Sequence, residues 1–307
     1  MDKIASVDIV IPCYNVENII EKCINSLLSQ SYPRDKYHCY LVNDHSDDKT
    51  GEILEKYNRH QNITIIHHEQ NMGLSSTRNT GITEGDSELV AFLDGDMTVK
   101  NDWVESFLPY FDKDTIGVMG DNVAPLDIAL NPMEKYYFGT KRGARQFGDG
   151  AYISFQYMLY GNAMIKRSKL VEVGLFDENI TKYGGEDIDL SAKIWDKYGG
   201  GFIFSKKSNS THFHRRSFNQ FCLSMRTYGE YNLPILTNRY PQFKKELGAD
   251  WVFSLKGYIV FNSLVNMIMK IILLIKPFQI FVRYAVINSV ISGARDSEQW
   301  SKFNKKI

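Results

Sequence analysis

Asp94 and Asp96 stand one glycine apart, directly after the apolar run Leu89-Val90-Ala91-Phe92-Leu93. Two carboxylates that close, with Gly95 permitting a tight turn, make an oxygen-rich corner able to hold a hard divalent cation such as Mg2+ or Mn2+. Asp-Gly is also ordinary turn chemistry after a strand, so the weight falls on what accompanies it. Other apolar runs end the same way: Val7 to Pro12 in Tyr14 and Asn15, Cys39 to Val42 in Asp44, and Ile63 to Ile66 in a loop carrying Asn71 and Arg78. Further on, Gly184-Gly185 precedes the acidic turn Glu186, Asp187 and Asp189. The segment Ser210-Thr211-His212-Phe213-His214, if extended, sends both histidines to one face. Each of these has a plain structural alternative: helix caps for Asn15, Asp47 and Asp48, a helix-dipole partner for Asp187, a substrate or carbonyl contact for either histidine. His67 and His68 lack such context and read as structural.

Elements that could bring these groups together follow from periodicity. Strand-length apolar runs alternate with helical spacing, as in Ile19, Ile20, Cys23, Ile24, Leu27 and Leu28, where Asn15 is a candidate N-cap. A second helix runs through Ile53, Leu54 and Tyr57, and a short one after Gly73 is expected to end at Gly81. Such alternation predicts an α/β fold, a mostly parallel, doubly wound sheet whose ligands lie outside the carboxyl ends of the strands. Trp103 to Phe111 reads as helix, while Ile116 to Gly120 and Gly161 to Ile165 read as strands. Phe202 to Lys206 is strand-like too, and a helix opens at Glu186.

The chain has 307 residues, with 36 Lys and Arg against 36 Asp and Glu, a balance that gives no support to nucleic-acid binding. Cys13, Cys23, Cys39 and Cys222 form no paired Cys-x-x-Cys units, which suggests neither a zinc site nor a disulfide framework and favours a reducing, cytoplasmic setting. No basic-then-apolar leader opens the sequence.

Taken in order, Ile11-Pro12-Cys13-Tyr14-Asn15, Val42-Asn43-Asp44-His45-Ser46-Asp47-Asp48, Asn71-Met72-Gly73 with Arg78-Asn79-Thr80-Gly81, Asp94-Gly95-Asp96 and Gly185-Glu186-Asp187 resemble the inverting family 2 glycosyltransferases of the GT-A fold. The resemblance covers residues 7 to about 215 and departs at Asn43, where Asp is usual, and His45, where Gly is usual. It implies a UDP-sugar donor, with Asp44 and Arg78 on the nucleobase side and Pro12 and Tyr14 lining that pocket. Asn15, Asn71, Asp94 and Gly95 complete the expected donor-binding set. Asp96 would take Mn2+ or Mg2+ bridging the diphosphate, with His212, or else His214, completing the metal sphere. Asp187 would be the general base and Glu186 would orient the acceptor, a glycan or polyprenyl-linked molecule met at Gly161 and Asn162. A carboxylate-held cation also suits such chemistry on its own terms, because it neutralises charge developing on a departing diphosphate. Arg78, and Lys141, Arg142 and Arg145 in the loop from Gly139 to Gly150, could add positive charge, the loop being either a lid or a solvated excursion. Processive members carry a Gln-x-x-Arg-Trp stretch that residues 215–221 lack, which favours single-sugar transfer in polysaccharide or glycoconjugate synthesis. The competing reading is a catalytically silent sugar-nucleotide or glycan-binding module.

The expected division is a catalytic domain over residues 1–220, in which residues 1–100 bind the nucleotide and residues 101–220 bind the acceptor, then a helical region over 221–307. From Gly257 to Ile275, and again from Phe278 to Ser292, the chain is nearly continuously apolar. Asn262, Asn266 and Lys270 recur every four residues, which suits an amphipathic helix in a membrane interface better than a span, since a central lysine costs about 2.5 to 3.5 kcal/mol to insert. The expectation is peripheral attachment to the inner face of the cell membrane through 257–292, in two segments broken at Pro277; a hairpin dipping into the bilayer and plain core packing are the alternatives.

Overall fold

A computed structural model describes residues 5–213, 216–275 and 278–303. His214 and Pro277 therefore lie outside the described residues. The chain divides into two units, one of Met1–Ile128, Gly143–Thr181 and Glu186–His214, the other of Ala129–Arg142, Lys182–Gly185 and Arg215–Ile307.

The first unit is built on an eight-stranded sheet: β1 (Val7–Cys13), β2 (Tyr37–Asn43), β3 (Ile63–His67), β4 (Leu89–Leu93), β5 (Met97–Val99), β6 (Gly117–Val123), β7 (Asn162–Lys166) and β8 (Phe202–His212), in the order β3-β2-β1-β4-β7-β6-β8-β5. From β3 to β4 every pairing is parallel, as the alternating pattern predicts. Beyond β4 the sheet is mixed, with β7 antiparallel to both neighbours and β5 antiparallel to β8. All five residues of β4 are buried, which is why its sequence does not alternate. Burial of Asp8 within β1 is compensated by Ser87, whose N–H and hydroxyl donate to the carboxylate at 2.9 and 2.8 Å, and by Arg167.

Helices α1 (Ile20–Leu28), α2 (Thr50–Glu55), α3 (Leu74–Glu84) and α4 (Trp103–Phe107) belong to this unit. Ile20, Cys23, Ile24 and Leu27 form the buried stripe of α1 at the predicted spacing. Two local expectations fail. Asn15 does not cap α1, which starts at Ile20; it sits in the left-handed region at φ 52°, with its side-chain oxygen accepting from Asp47 N–H at 2.9 Å. Gly81 does not end α3, which runs on to Glu84. Gly81 is there for closeness: a Cβ at this position would lie 2.5 Å from Val10 Cγ1, so the glycine lets the helix press onto β1.

In the second unit lie α5 (Pro132–Tyr137), capped reciprocally by Asn131 and Glu134, and a series beginning with α8 (Phe218–Thr227) and α9 (Leu233–Arg239). Between these two groups the first unit contributes α6 (Arg167–Glu172) and α7 (Glu186–Tyr198). The series continues with α10 (Leu255–Val260), α11 (Ser263–Ile275), α12 (Gln279–Asp296) and α13 (Glu298–Phe303). Its core gathers Leu233, Val252, Phe261, Ile291 and Ala294. Gly229 and Gly293 allow the backbones of α12 and the turn after α8 to touch, since Cβ atoms there would fall 2.0 Å from Val290 O and 2.1 Å from Arg226 O. The apolar run expected over Gly257 to Ile275 is broken at Phe261 and Asn262: Phe261 turns into the core and the Asn262 side chain accepts from Val265 N–H at 3.0 Å, capping α11. Among the described residues no helix is long and apolar enough to cross a membrane.

Candidate functional site

Asp94 ends β4 and is brought against two groups remote in sequence. Its backbone N–H donates to Gly161 O at 2.9 Å, and Gly161 is required there, because a Cβ would lie 2.5 Å from Asp94 Oδ2. Arg78, projecting from α3 and fully enclosed, donates from Nη2 to Asp94 Oδ1 at 3.1 Å and from Nη1 to Asp187 Oδ1 at 2.8 Å. Its guanidinium also lies over the Phe176 ring, 5.3 Å from the centroid, which holds the plane of the fork. The other oxygen of Asp187 accepts from Tyr160 N–H at 3.2 Å. Asp187 is thus fixed at both oxygens at the start of α7, where the helix dipole also favours a negative charge. Gly184 and Gly185, at φ 77° and 100°, supply the left-handed turn that precedes it.

Burial opposes the charge on Arg78, but Asp187, Asp94 and Glu186 outweigh it and raise its pKa, so the guanidinium stays charged. Asp94 is pushed up by burial, pulled down by Arg78, and pushed up again by Asp96 and Asp187. Glu186 is pushed up to about 7, by burial first and the Asp187 charge second, with Arg78 pulling the other way. A carboxyl whose pKa is higher in the folded than in the unfolded chain costs stability as pH rises. For Glu186 the loss begins near the ordinary value of 4.5 and is complete above about 7. Glu186→Gln is therefore expected to flatten the fall of Tm with pH across that window; a Tm profile identical to that of the parent would show that folding does not raise the Glu186 carboxyl.

Asp96 and His212 meet through strand pairing. Met97 at the start of β5 is in register with His212 at the end of β8, and Phe213 N–H donates to Asp96 O at 3.0 Å. The side chains approach to 3.2 Å between Asp96 Oδ2 and His212 Nε2. A carboxylate and an imidazole side by side are two donors that a divalent cation such as Mn2+ would accept. Among the described residues no group of three or more His, Cys, Asp or Glu side chains forms a closed metal cage.

Several expected residues already have partners within the protein. Asp44, expected on the donor base, has a carboxylate that accepts from Met72 N–H at 2.7 Å and Gly73 N–H at 2.8 Å and pairs with His68 at 2.8 Å, the carboxylate and imidazole both nearly closed off from solvent. It shapes the loop after β3. Arg78 likewise faces carboxylates, those of Asp94 and Asp187. Asn162, expected at the acceptor, spends its amide inside the protein: it accepts from Trp103 Nε1 at 2.9 Å and donates to Asp121 O and Ser208 O. Arg145 pairs with Asp121 and Arg142 lies over Tyr136, Tyr137 and Phe221. Tyr14, Asn15 and Asn71 are exposed and Pro12 half-buried. Gly95 lies against Pro12 O, where a Cβ would come to 3.0 Å. His67 and His68 are tied into the scaffold through Asn43, Glu55, Asp44 and Thr80. His45 adopts φ 57°, the left-handed conformation that suits the glycine usual there. Tyr160 and Phe176 escape sequence reasoning altogether, because a backbone N–H and a ring face carry no mark in the sequence.

Residues 8–174 match the profile described as Glycosyl transferase family 2. The glycosyltransferase AglE of Haloferax volcanii is 34% identical over 118 residues, 38% of this chain and 39% of that protein, so the chain spans well under two thirds of that relative. A glucosyl-dolichyl phosphate glucuronosyltransferase of the same organism is 23% identical over 257 residues, 79% of this chain and 81% of the relative. Among solved structures, the mannosyltransferase PcManGT of Pyrobaculum calidifontis, in complex with GDP-Man and Mn2+, superposes with a TM-score of 0.70 at 16% identity, over 98% of this chain and 89% of that one. At that identity the likeness establishes the fold.

Proposed function

The chain belongs to glycosyl transferase family 2, and from that premise we propose that it moves a single sugar from a nucleoside-diphosphate sugar, UDP-linked, to a hydroxyl of a glycan or polyprenyl-linked acceptor, with inversion. The observation that carries this reading is the convergence on one buried guanidinium of Asp94, at the end of β4, and Asp187, at the start of α7, with Asp96 and His212 paired beside them.

In this reading the acceptor hydroxyl attacks the anomeric carbon in line as the bond to the diphosphate oxygen breaks, and its proton passes to Asp187. Arg78 and the Tyr160 N–H hold Asp187 in one orientation, as a general base requires. Glu186, one residue earlier on the same turn, orients the acceptor. Asp96 and His212 would hold the divalent cation, which when bound neutralises charge on the diphosphate. Pro12, Tyr14 and the loop that Asp44 braces form the rim proposed for the nucleobase.

The test is to incubate the purified chain with UDP- and GDP-sugars, with Mn2+ or Mg2+ and with chelator, and to record thermal protection and nucleotide release. A UDP-sugar at a hundredfold excess over its Kd should stabilise by about 2.7 kcal/mol, with release that chelator suppresses. Protection without release or transfer from any donor would fit the silent binding module instead, and no protection by any donor would overturn the reading.

A further inference from the structure

On an ordinary surface helix the apolar stripe faces inward and the polar side faces water. Helix α11 is the reverse. Leu264, Met267, Ile268, Ile271 and Ile275 are all between 45% and 72% exposed. At helical spacing these five fall within an arc of about 100°. Asn262 and Asn266, on the opposite side, are part-buried, as are Val265 and Met269 where the helix packs along α12. The outward apolar surface continues through Leu255 and Ile259 of α10 and through Phe278 and Ile280 at the start of α12.

Charge indicates what covers it. Residues 215–307 hold 14 Lys and Arg against 5 Asp and Glu, a net of +9, and residues 1–214 hold 22 against 31, a net of −9. From residue 251 to residue 295 there is no acidic residue at all. Lys256, Lys270 and Arg283 are exposed on the same three helices.

We propose that the outward face of α10, α11 and the start of α12 is a docking surface for an anionic lipid bilayer. Its apolar arc would enter the acyl boundary while the lysine and arginine stems extend their charges to the headgroups. The same face of a second copy would set +9 against +9, whereas anionic headgroups complement that charge. The proposal does not depend on the transferase reading, since it requires no sugar nucleotide.

Sedimentation of the full chain with phosphatidylcholine vesicles, alone or mixed with phosphatidylglycerol, tests it. Binding is expected to the mixed vesicles and to weaken with salt. Lys256→Gln, Lys270→Gln and Arg283→Gln combined should reduce partition roughly 100-fold, about fivefold for each cation. Ile268→Asp with Ile271→Asp should reduce it by a further tenfold or more, on the order of the lost burial of two large apolar side chains. Val171→Asp, at an exposed apolar site on α6, should leave it unchanged. If the aspartate pair disturbs folding, the glutamine set still decides. Equal partition to both vesicle types, no partition to either, or a self-association that Ile271→Asp abolishes in a chain that ignores vesicles would each overturn the proposal.

Discussion

Asp187→Asn is expected to lower the rate of transfer by roughly 10²- to 10⁴-fold, the range a positioned general base contributes, while the donor still binds. The amide keeps the shape but cannot take a proton, and it cannot match its surroundings. Both oxygens of Asp187 accept hydrogen bonds, from Arg78 and from Tyr160 N–H, so the new NH2 must point at one donor or the other. Arg78 also loses one of the two carboxylates it is ion-paired with, which adds a stability cost of up to about 3 to 5 kcal/mol for a broken buried pair. Single-turnover transfer, nucleotide binding and Tm should therefore be measured together. Transfer retained within tenfold in a folded variant would remove Asp187 from the chemistry.

Arg78→Met should have the largest effect on stability. It leaves Asp94, Asp187 and Glu186 facing one another without the guanidinium between them, at a cost of about 3 to 5 kcal/mol, or a Tm lower by on the order of 10 °C for a unit of this size. The Arg78 charge pulls Asp94 and Glu186 down in pKa. Without it both carboxyls rise, and the acid limb of the activity profile should move to higher pH. Arg78→Lys keeps the charge without the fork and should fall between parent and Met variant. A nucleobase contact at Arg78 would behave otherwise: donor affinity would drop, while Tm and the pH profile stayed put.

The two roles given to Arg78 show where the sequence stops being informative. Apolar runs, helical spacing and the polar residue after each strand were all legible, because burial and periodicity are local properties; the parallel half of the sheet follows from them. That Arg78 would find Asp187, 109 residues away, is decided by how the start of α7 is brought to α3, and nothing near either residue announces it. The partners of Asn162 are hidden for a similar reason: the resemblance puts it at the acceptor, and nothing local announces that Trp103, Asp121 O and Ser208 O take up its amide. The helix through Gly81 shows that a glycine marks a breaker or a close approach equally well. Charge was concealed by summation: equal totals of acid and base mask a C-terminal region whose charged residues are mostly cationic.

β5 is three residues long, lies at the end of the strand order and pairs, among the described strands, with β8 alone. Asp96 and His212, 116 positions apart, are neighbours only while that short ladder stays zipped. Terminal ladders with few bonds fray at far lower free energy than a sheet's centre, and contacts this distant in sequence are late to form. Mild denaturant should thus disarm the molecule before it unfolds it: the acid and imidazole drift apart while β3, β2, β1 and β4 remain a sheet.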